Sequence, residues 1–319
     1  MKAARRVLAV VIVLALAAGL VLYFNPLWVA DVQTRWRLWR EGVKSEYVEA
    51  GGYRLHYFEA GRSDGTPLLL VHGLGARGED WRAMIPAMAA RGFHVYAPDL
   101  PGYGRSSKPA DANYSIAMEE AAVVAFAQAV HLPRADVAGW SMGGWISMKL
   151  ALDHPEMVNR LVVYDSAGIY FPANFGSELF VPGDAPGVTR LMKILSPHPS
   201  AMPDFVMRAV LRKIALNGWV VQRSMTAMTD GRDLLDFRLH DLKQPTLVVW
   251  GSEDELIPLS VGKRIHELIP DSSLAVVEGC GHLAPLECWR PVAEATEKFL
   301  RAKTPVTGAE TTLAHDERD

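Results

Sequence analysis

Short apolar segments that alternate with helical segments constrain the fold of this chain more than any other feature. Residues 46–50 and 53–59 alternate polar and apolar side chains around Gly51-Gly52, as in a hairpin, and further segments of strand length occur at residues 67–71, 93–97, 135–139, 161–164, 246–250 and 274–277. Stretches with helical spacing follow several of them, for example at residues 115–130 and 142–154. Strands that alternate with helices pack as a mostly parallel sheet with helices on both faces. We therefore predict an α/β fold.

The alternation is interrupted between residues 167 and 242. This interval is rich in proline, methionine and aromatic residues, and helical spacing occurs at residues 188–195, 203–216 and 220–228. We interpret the interval as a helical cap inserted into a domain that spans residues 46–302. One long irregular loop with core helices is the alternative. The polar tail at residues 303–319 is predicted to be disordered.

The N-terminus has the pattern of a membrane segment. Lys2, Arg5 and Arg6 precede residues 7–24, which carry no charged side chain. That length is near the lower limit for a helix that spans a bilayer. We predict that residues 1–24 form a single-pass anchor, and the basic start favours an extracytoplasmic position for the rest of the chain. A cleaved signal sequence is the alternative, although no small-x-small cleavage site follows the run.

Residues 25–45 connect the apolar run to the first strand. We interpret them as a juxtamembrane linker or an amphipathic helix that lies near the membrane. The segment contains three tryptophans and three nearby arginines: Trp28, Trp36, Trp39, Arg35, Arg37 and Arg40. Aromatic rings and long cationic side chains are typical of the membrane–water interface.

Composition and charge exclude other classes of partner. Half of the residues are hydrophobic and 22% are charged, as in ordinary globular proteins. A net charge of −3 predicts no nucleic-acid partner, and no pattern indicates an oligomeric state. Cys280 and Cys288 belong to no CxxC or zinc-type spacing, so we predict no metal site. We expect two free thiols, with a single disulfide as the alternative.

The segment Gly139-Trp140-Ser141-Met142-Gly143 lies between a predicted strand and a predicted helix. The turn between such elements is sharp, and only small residues fit beside the serine. The turn directs the serine hydroxyl out of the sheet, at the positive end of the helix where an anion is favoured. We therefore predict that Ser141 is a nucleophile.

An acidic loop, Gly251-Ser252-Glu253-Asp254-Glu255, follows the strand at residues 246–250. Open α/β sheets place their sites at the carboxyl ends of the strands. Leu256-Ile257-Pro258 restrict the turn after Asp254, so we choose Asp254 over its two acidic neighbours. Asp165, which follows the strand at residues 161–164, is the rival acid.

His282 follows the last predicted strand, behind Gly279 and Gly281. The glycines free this loop to bring the imidazole to Ser141. Ser141, Asp254 and His282 occur in the chain order expected of one hydrolase architecture. We predict that His282 takes the proton from Ser141 while Asp254 orients the imidazole, and that the acyl-enzyme chemistry needs neither a metal nor an organic cofactor.

The segment His72-Gly73-Leu74-Gly75 follows the strand at residues 67–71. In sites of this type, one oxyanion donor is a backbone N–H of this loop and the other is the N–H after the nucleophile. Those groups are here the N–H of Leu74 and the N–H of Met142. We predict that His72 braces the loop by hydrogen bonding and is not catalytic.

Together these segments resemble the α/β-hydrolase family, as does Asp99-Leu100-Pro101-Gly102-Tyr103-Gly104-Arg105-Ser106. The resemblance covers residues 46–302 and is closest to bacterial membrane-anchored lipase/esterase and monoacylglycerol-lipase-like members. It implies an α/β-hydrolase fold with a mostly parallel, eight-stranded sheet, flanking helices and an inserted cap. Trp140 departs from the family pattern, in which His or Asn more often precedes the serine, and is expected to shape the pocket.

The resemblance implies hydrolysis of carboxylic esters, and the anchor favours a lipidic or acylglycerol-like substrate. Two other activities of the family stay open, the hydrolysis of carbon–carbon bonds in vinylogous diketones and cofactor-free haloperoxidation. A ligand-binding relative without activity is the alternative from another class. Carbon–carbon hydrolases usually hold an acidic substrate with basic residues, which in the cap would be Arg190, Lys193, Arg208, Arg212 and Arg223.

Apolar side chains of the cap are candidates for the wall of an acyl tunnel. They are Met192, Ile194, Leu195, Phe205, Val206, Met207, Trp219, Met225 and Met228. We expect at least half of them to pack the cap onto the sheet instead.

Overall fold

A computed structural model describes residues 2–315 of the chain. One sheet holds the nine strands of the described residues, in the order β1-β2-β4-β3-β5-β6-β7-β8-β9. The strands are β1 Lys44–Ala50, β2 Tyr53–Ala60, β3 Thr66–Val71, β4 Phe93–Pro98, β5 Ala135–Trp140, β6 Val158–Tyr164, β7 Thr246–Gly251, β8 Ser272–Val277 and β9 Glu310–Leu313. The pairs β1–β2 and β2–β4 are antiparallel, and the other pairs are parallel.

Ten helices accompany the sheet in the described part of the chain. They are α1 Lys2–Phe24, α2 Pro26–Arg40, α3 Met84–Ala90, α4 Ile116–Ala129, α5 Met142–Asp153, α6 Ala185–Leu195, α7 Asp204–Thr229, α8 Leu259–Leu268, α9 Ala284–Glu287 and α10 Trp289–Arg301. Short 3-10 turns occur at Gly78–Trp81, Ser177–Phe180 and Leu239–Asp241.

Burial of the central strands explains why their sequences are continuously apolar. Every residue of β4, β5 and β7 is buried. Helices cover both faces of such a parallel sheet, and two hydrophobic clusters pack on its two sides. The predicted α/β architecture with a mostly parallel sheet is confirmed.

The C-terminal tail differs from the prediction. Residues 310–313 form β9, which pairs in parallel with β8 from Leu274↔Glu310 to Val277↔Leu313. The expected disorder of residues 303–319 is therefore wrong for this strand, and the sheet has nine strands instead of eight. Backbone hydrogen bonds to the open edge of β8 stabilise the strand in spite of its polar side chains. Residues 316–319 lie outside the described residues.

The segment between β6 and β7 contains α6 and α7, with 3-10 turns on either side of them. Asp184 caps α6, since its carboxylate accepts a hydrogen bond from the N–H of Gly187 at 2.8 Å. One continuous helix, α7, replaces the two helical stretches that we predicted at residues 203–216 and 220–228. Gly218 lies where they join, and a Cβ there would stand 2.4 Å from Cγ1 of Val181. The glycine permits close packing and does not end the helix.

The two N-terminal helices differ in their contacts with the rest of the chain. No residue of α1 is buried, and its length and hydropathy suffice for a membrane span. Helix α2, in contrast, packs on the domain through Pro26 and Leu38. Asp31 of α2 also pairs with the guanidinium of Arg77 at 2.7 Å.

Candidate active site

Ser141 occupies a strained turn between β5 and α5. Its φ of +57° lies in the left-handed region, which L side chains rarely adopt. The flanking glycines make the turn possible, because a Cβ on Gly139 would stand 2.2 Å from the carbonyl oxygen of Gly143. A Cβ on Gly143 would stand 2.1 Å from the carbonyl oxygen of Val71. The predicted steric reason for this motif therefore holds in the structure.

Three predicted site residues form a hydrogen-bonded chain. His282 Nε2 lies 2.9 Å from Ser141 Oγ, and His282 Nδ1 lies 2.8 Å from Asp254 Oδ2. The backbone N–H groups of Leu256 and Ile257 donate to Asp254 Oδ1 at 2.9 and 2.8 Å. The turn after Asp254 thus holds its carboxylate in place. The side chains of Ser141, Asp254 and His282 are all buried.

Asp165, the rival acid, lies at the end of β6 and is fully buried. Its Oδ1 accepts a hydrogen bond from the N–H of Gly251 at 2.8 Å, so it contacts the start of the Asp254 loop. Burial and the nearby charge of Asp254 raise the pKa of Asp165 well above its usual range. The structure joins His282 to Asp254, as predicted, and leaves Asp165 as a neighbouring carboxyl group.

The loop after β3 lies against the serine. A Cβ on Gly73 would stand 3.1 Å from the Cβ of Ser141. The next residue, Leu74, borders the cavity above the serine, and Met142 begins α5. The structure thus brings the two predicted oxyanion residues to the same place as Ser141.

His72 braces this loop. The N–H of Leu100 donates to His72 Nε2 at 3.0 Å, so Nδ1 carries the proton and donates to the carbonyl oxygen of Gly73 at 2.8 Å. Burial lowers the pKa of His72, which favours this neutral form. Both hydrogen bonds agree with the predicted structural role.

A cavity of about 690 Å³ lies above Ser141 and His282. Four of the cap residues that we predicted for a tunnel contribute to its wall: Met192, Leu195, Met225 and Met228. The other five, Ile194, Phe205, Val206, Met207 and Trp219, do not. The prediction missed Ile169, Phe171, Phe175 and Phe180, which follow β6. The aromatic content of that segment was the available signal.

Charged groups are few in the wall of the cavity. Among the described residues, Lys213 is the one lysine or arginine that lines it, with Asp80 as the carboxylate. The five basic cap residues that we considered for an acidic substrate lie elsewhere. The guanidinium of Arg208 bonds to Tyr23, that of Arg212 to the carbonyl of Phe24, and that of Arg223 to the carbonyl of Ala112. Arg190 and Lys193 are exposed.

A disulfide joins Cys280 to Cys288, so the expectation of two free thiols is wrong. The chain between them turns into α9 and brings their Cα atoms to 6.4 Å, a separation that a disulfide bridges. The bridge therefore closes the loop that carries His282. His315 lies beside both sulfurs, but bonded sulfurs are not thiolates and do not make this group a metal site.

Comparisons with known proteins agree with this geometry. Residues 66–287, which include Ser141, Asp254 and His282, match the alpha/beta hydrolase fold family. A 2-hydroxymuconate semialdehyde hydrolase of Pseudomonas sp. (strain CF600) is 33% identical over 267 residues, which cover 79% of this chain and 92% of that hydrolase. Lipase 1 of Psychrobacter immobilis is 29% identical over 270 residues, which cover 78% of this chain and 81% of the lipase. The crystal structure of a bacterial membrane phospholipase A has a TM-score of 0.80 and 28% identity, over 94% of this chain and 98% of that one. The chain therefore belongs to the α/β-hydrolase family.

Proposed function

We propose that the protein is a serine hydrolase that cleaves carboxylic esters of lipids at a membrane surface. The observation that carries this proposal is the wall of the cavity above Ser141. It is predominantly apolar, and it includes Leu27 of the juxtamembrane helix α2. An acyl chain fits such a wall, and the position of Leu27 brings the cavity close to the end of the apolar helix α1.

The mechanism follows from the hydrogen-bonded chain. His282 accepts the proton of the Ser141 hydroxyl as the oxygen attacks the ester carbonyl, and Asp254 stabilises the resulting imidazolium. The backbone N–H groups of Leu74 and Met142 stabilise the tetrahedral oxyanion, each by about 3 kcal/mol. The imidazolium then protonates the departing alcohol, which leaves an acyl-enzyme. Water, deprotonated by His282, releases the fatty acid and regenerates the serine.

Contacts between α1 and the cap support an orientation of the cavity toward the membrane. The ring of Tyr23 stacks on that of Phe205 at 5.7 Å, and the guanidinium of Arg208 donates to the Tyr23 hydroxyl at 2.8 Å. These contacts link the end of α1 to α7, which supplies part of the cavity wall. With α1 as a single-pass anchor and the enzyme domain outside the cytoplasm, the cavity is held near the interface between membrane and water on the extracytoplasmic side.

The exposed face of α2 supports the same orientation. Four apolar side chains at helical spacing form a stripe that is open to solvent: Trp28, Val32, Trp36 and Trp39. The guanidinium of Arg40 lies 4.8 Å from the ring of Trp36. Aromatic rings beside cations suit the headgroup region of a bilayer. The proposed partner of this stripe is the membrane itself.

Carbon–carbon bond hydrolysis is the second candidate, because the relative at 33% identity is a 2-hydroxymuconate semialdehyde hydrolase. A substrate of that type is an anion and needs a cationic partner in the pocket. Lys213 is available in the cavity wall, whereas the five arginine and lysine side chains that we first considered are not. The predominantly apolar wall favours the ester.

Hydrolysis of p-nitrophenyl esters from two to sixteen carbons by the full chain in detergent micelles tests the proposal. We expect turnover that increases with acyl length, and Ser141→Ala should lose it while keeping its circular dichroism spectrum. 2-Hydroxymuconate semialdehyde is the competing substrate. Turnover of 2-hydroxymuconate semialdehyde without turnover of any ester would instead favour the carbon–carbon hydrolase.

A further inference from the structure

Trp140 links three segments of the candidate active site. It is the last residue of β5 and directly precedes Ser141. Its indole Nε1–H donates to the backbone carbonyl oxygen of His282 at 2.7 Å, and the two rings lie 5.8 Å apart. A Cβ on Gly73 would stand 3.4 Å from Cε3 of Trp140, so the indole also packs on the loop after β3. One buried side chain thus contacts the segments of the nucleophile, the oxyanion donors and the base.

The backbone of His282 lies in a loop with two glycines before the base. It follows Gly279, which has a φ of +70°, and Gly281, two residues that restrict the backbone little, while the disulfide of Cys280 and Cys288 closes the loop. The N–H of Glu253 donates to the carbonyl oxygen of Cys280 at 2.9 Å and fixes the loop two residues before His282. Within residues 2–315, the indole N–H of Trp140 is the donor to the carbonyl oxygen of His282.

We propose that Trp140 is a positioning residue, whose indole N–H holds the backbone of the base at the distance that proton transfer from Ser141 requires. The inference rests on the proposed serine hydrolase function. The indole N–H and the ring of Trp140 then have separate roles. The N–H holds the backbone of His282, whereas the ring lines the cavity. A base displaced by about 1 Å can lower the rate about 100-fold.

Trp140→Phe in the full chain tests the inference, because phenylalanine keeps an aromatic ring and removes the donor. We expect kcat for a p-nitrophenyl ester to fall about 10- to 100-fold, with KM changed by less than about twofold. The rate of covalent labelling of Ser141 by a fluorophosphonate should fall in parallel, because it depends on the same base.

Tyr164→Phe is the matched control. The Tyr164 hydroxyl makes a buried hydrogen bond to Thr296 Oγ1 at 2.9 Å, in the same hydrophobic cluster as Trp140. Its loss should lower the melting temperature to a similar degree and leave kcat unchanged. An equal loss of kcat in both variants would indicate a general effect of stability and would overturn the inference.

Other outcomes are equally decisive. Wild-type kcat in folded Trp140→Phe, or a change confined to KM, would reduce Trp140 to a lining residue and overturn the inference. If the variant does not fold, 3-benzothienylalanine at position 140 replaces the N–H by sulfur at nearly the same shape, and the same loss of kcat is expected. Full activity of Ser141→Ala would instead contradict the proposed function, independently of Trp140.

Discussion

Asp254 and Asp165 are two buried carboxyl groups at the ends of adjacent strands that differ in their hydrogen-bond partners. Asp254 accepts hydrogen bonds from two backbone N–H groups and from His282. Asp165 accepts one from Gly251, and burial with the charge of Asp254 raises its pKa. Its contact with His282 suits Asp254 to stabilise an imidazolium, whereas the raised pKa of Asp165 favours its protonated form.

We expect Asp254→Asn to lower kcat by about 10⁴-fold, because the amide stabilises the wrong imidazole tautomer and carries no charge. Asp165→Asn should lower kcat by less than about tenfold, since Asp165 does not contact His282 and an amide keeps nearly the same shape. Ester hydrolysis by both purified variants measures the difference. A larger loss in Asp165→Asn would transfer the role of the acid to β6.

At the scale of elements, β5 carries a buried carboxyl group away from the site. Asp136 accepts a hydrogen bond from the side-chain amide of Asn159 at 2.8 Å. Burial, opposed by this bond and by nearby arginines, raises the pKa of Asp136 to about 6. The native state thus binds this proton more tightly than the unfolded chain does. The contribution of this group to stability is therefore full below about pH 4, is lost as the pH rises through about 6, and is constant above that.

Asp136→Asn should remove the loss of stability that the ionisation of Asp136 causes. We expect the free energy of unfolding at pH 7.5 to rise by about 1–3 kcal/mol relative to the wild type, because an amide keeps the bond to Asn159 without a buried charge. At pH 4 the two proteins should be equally stable. Denaturant unfolding at both pH values measures this, and exposed Asp271→Asn is the control. A gain that is the same at both pH values would contradict the titration of Asp136.

At the scale of the whole molecule, helix α2 and the enzyme domain are joined by specific contacts. Arg77 pairs with Asp31 of α2, and the cavity wall extends from Ser141 to Leu27. Strand β9 adds a further edge to the sheet, so a chain ended at residue 302 would expose β8. These contacts make the full chain the appropriate protein for measurements of activity.

We expect membranes washed with alkaline carbonate to retain the full-length protein, because an uncleaved α1 would be held by the apolar interior of the bilayer. Mass spectrometry of the retained protein should find residues 1–24. A peripheral membrane protein that the same wash releases is the control. Recovery of a shortened chain in the soluble fraction would establish a cleaved signal sequence.

Patterns local in the sequence predicted the eight strands before β9, the Ser141 turn and the glycine-rich His282 loop. Buried parallel strands need continuous apolar runs, and a sharp strand-to-helix turn needs glycines such as Gly139 and Gly143. Both features can therefore be recognised within a few residues of sequence. The order of Ser141, Asp254 and His282 along the chain supplied the site in the same way.

Contacts between distant residues were decided by the tertiary structure alone. The pairing of β9 with β8, the disulfide of Cys280 and Cys288 and the bond from Trp140 to His282 have no local pattern. Each depends on how close two segments come after folding, and polar residues such as those of β9 become ordered when an open strand edge satisfies their backbone. Sequence periodicity reports which face of an element is apolar, and it carries no information about which partner covers that face.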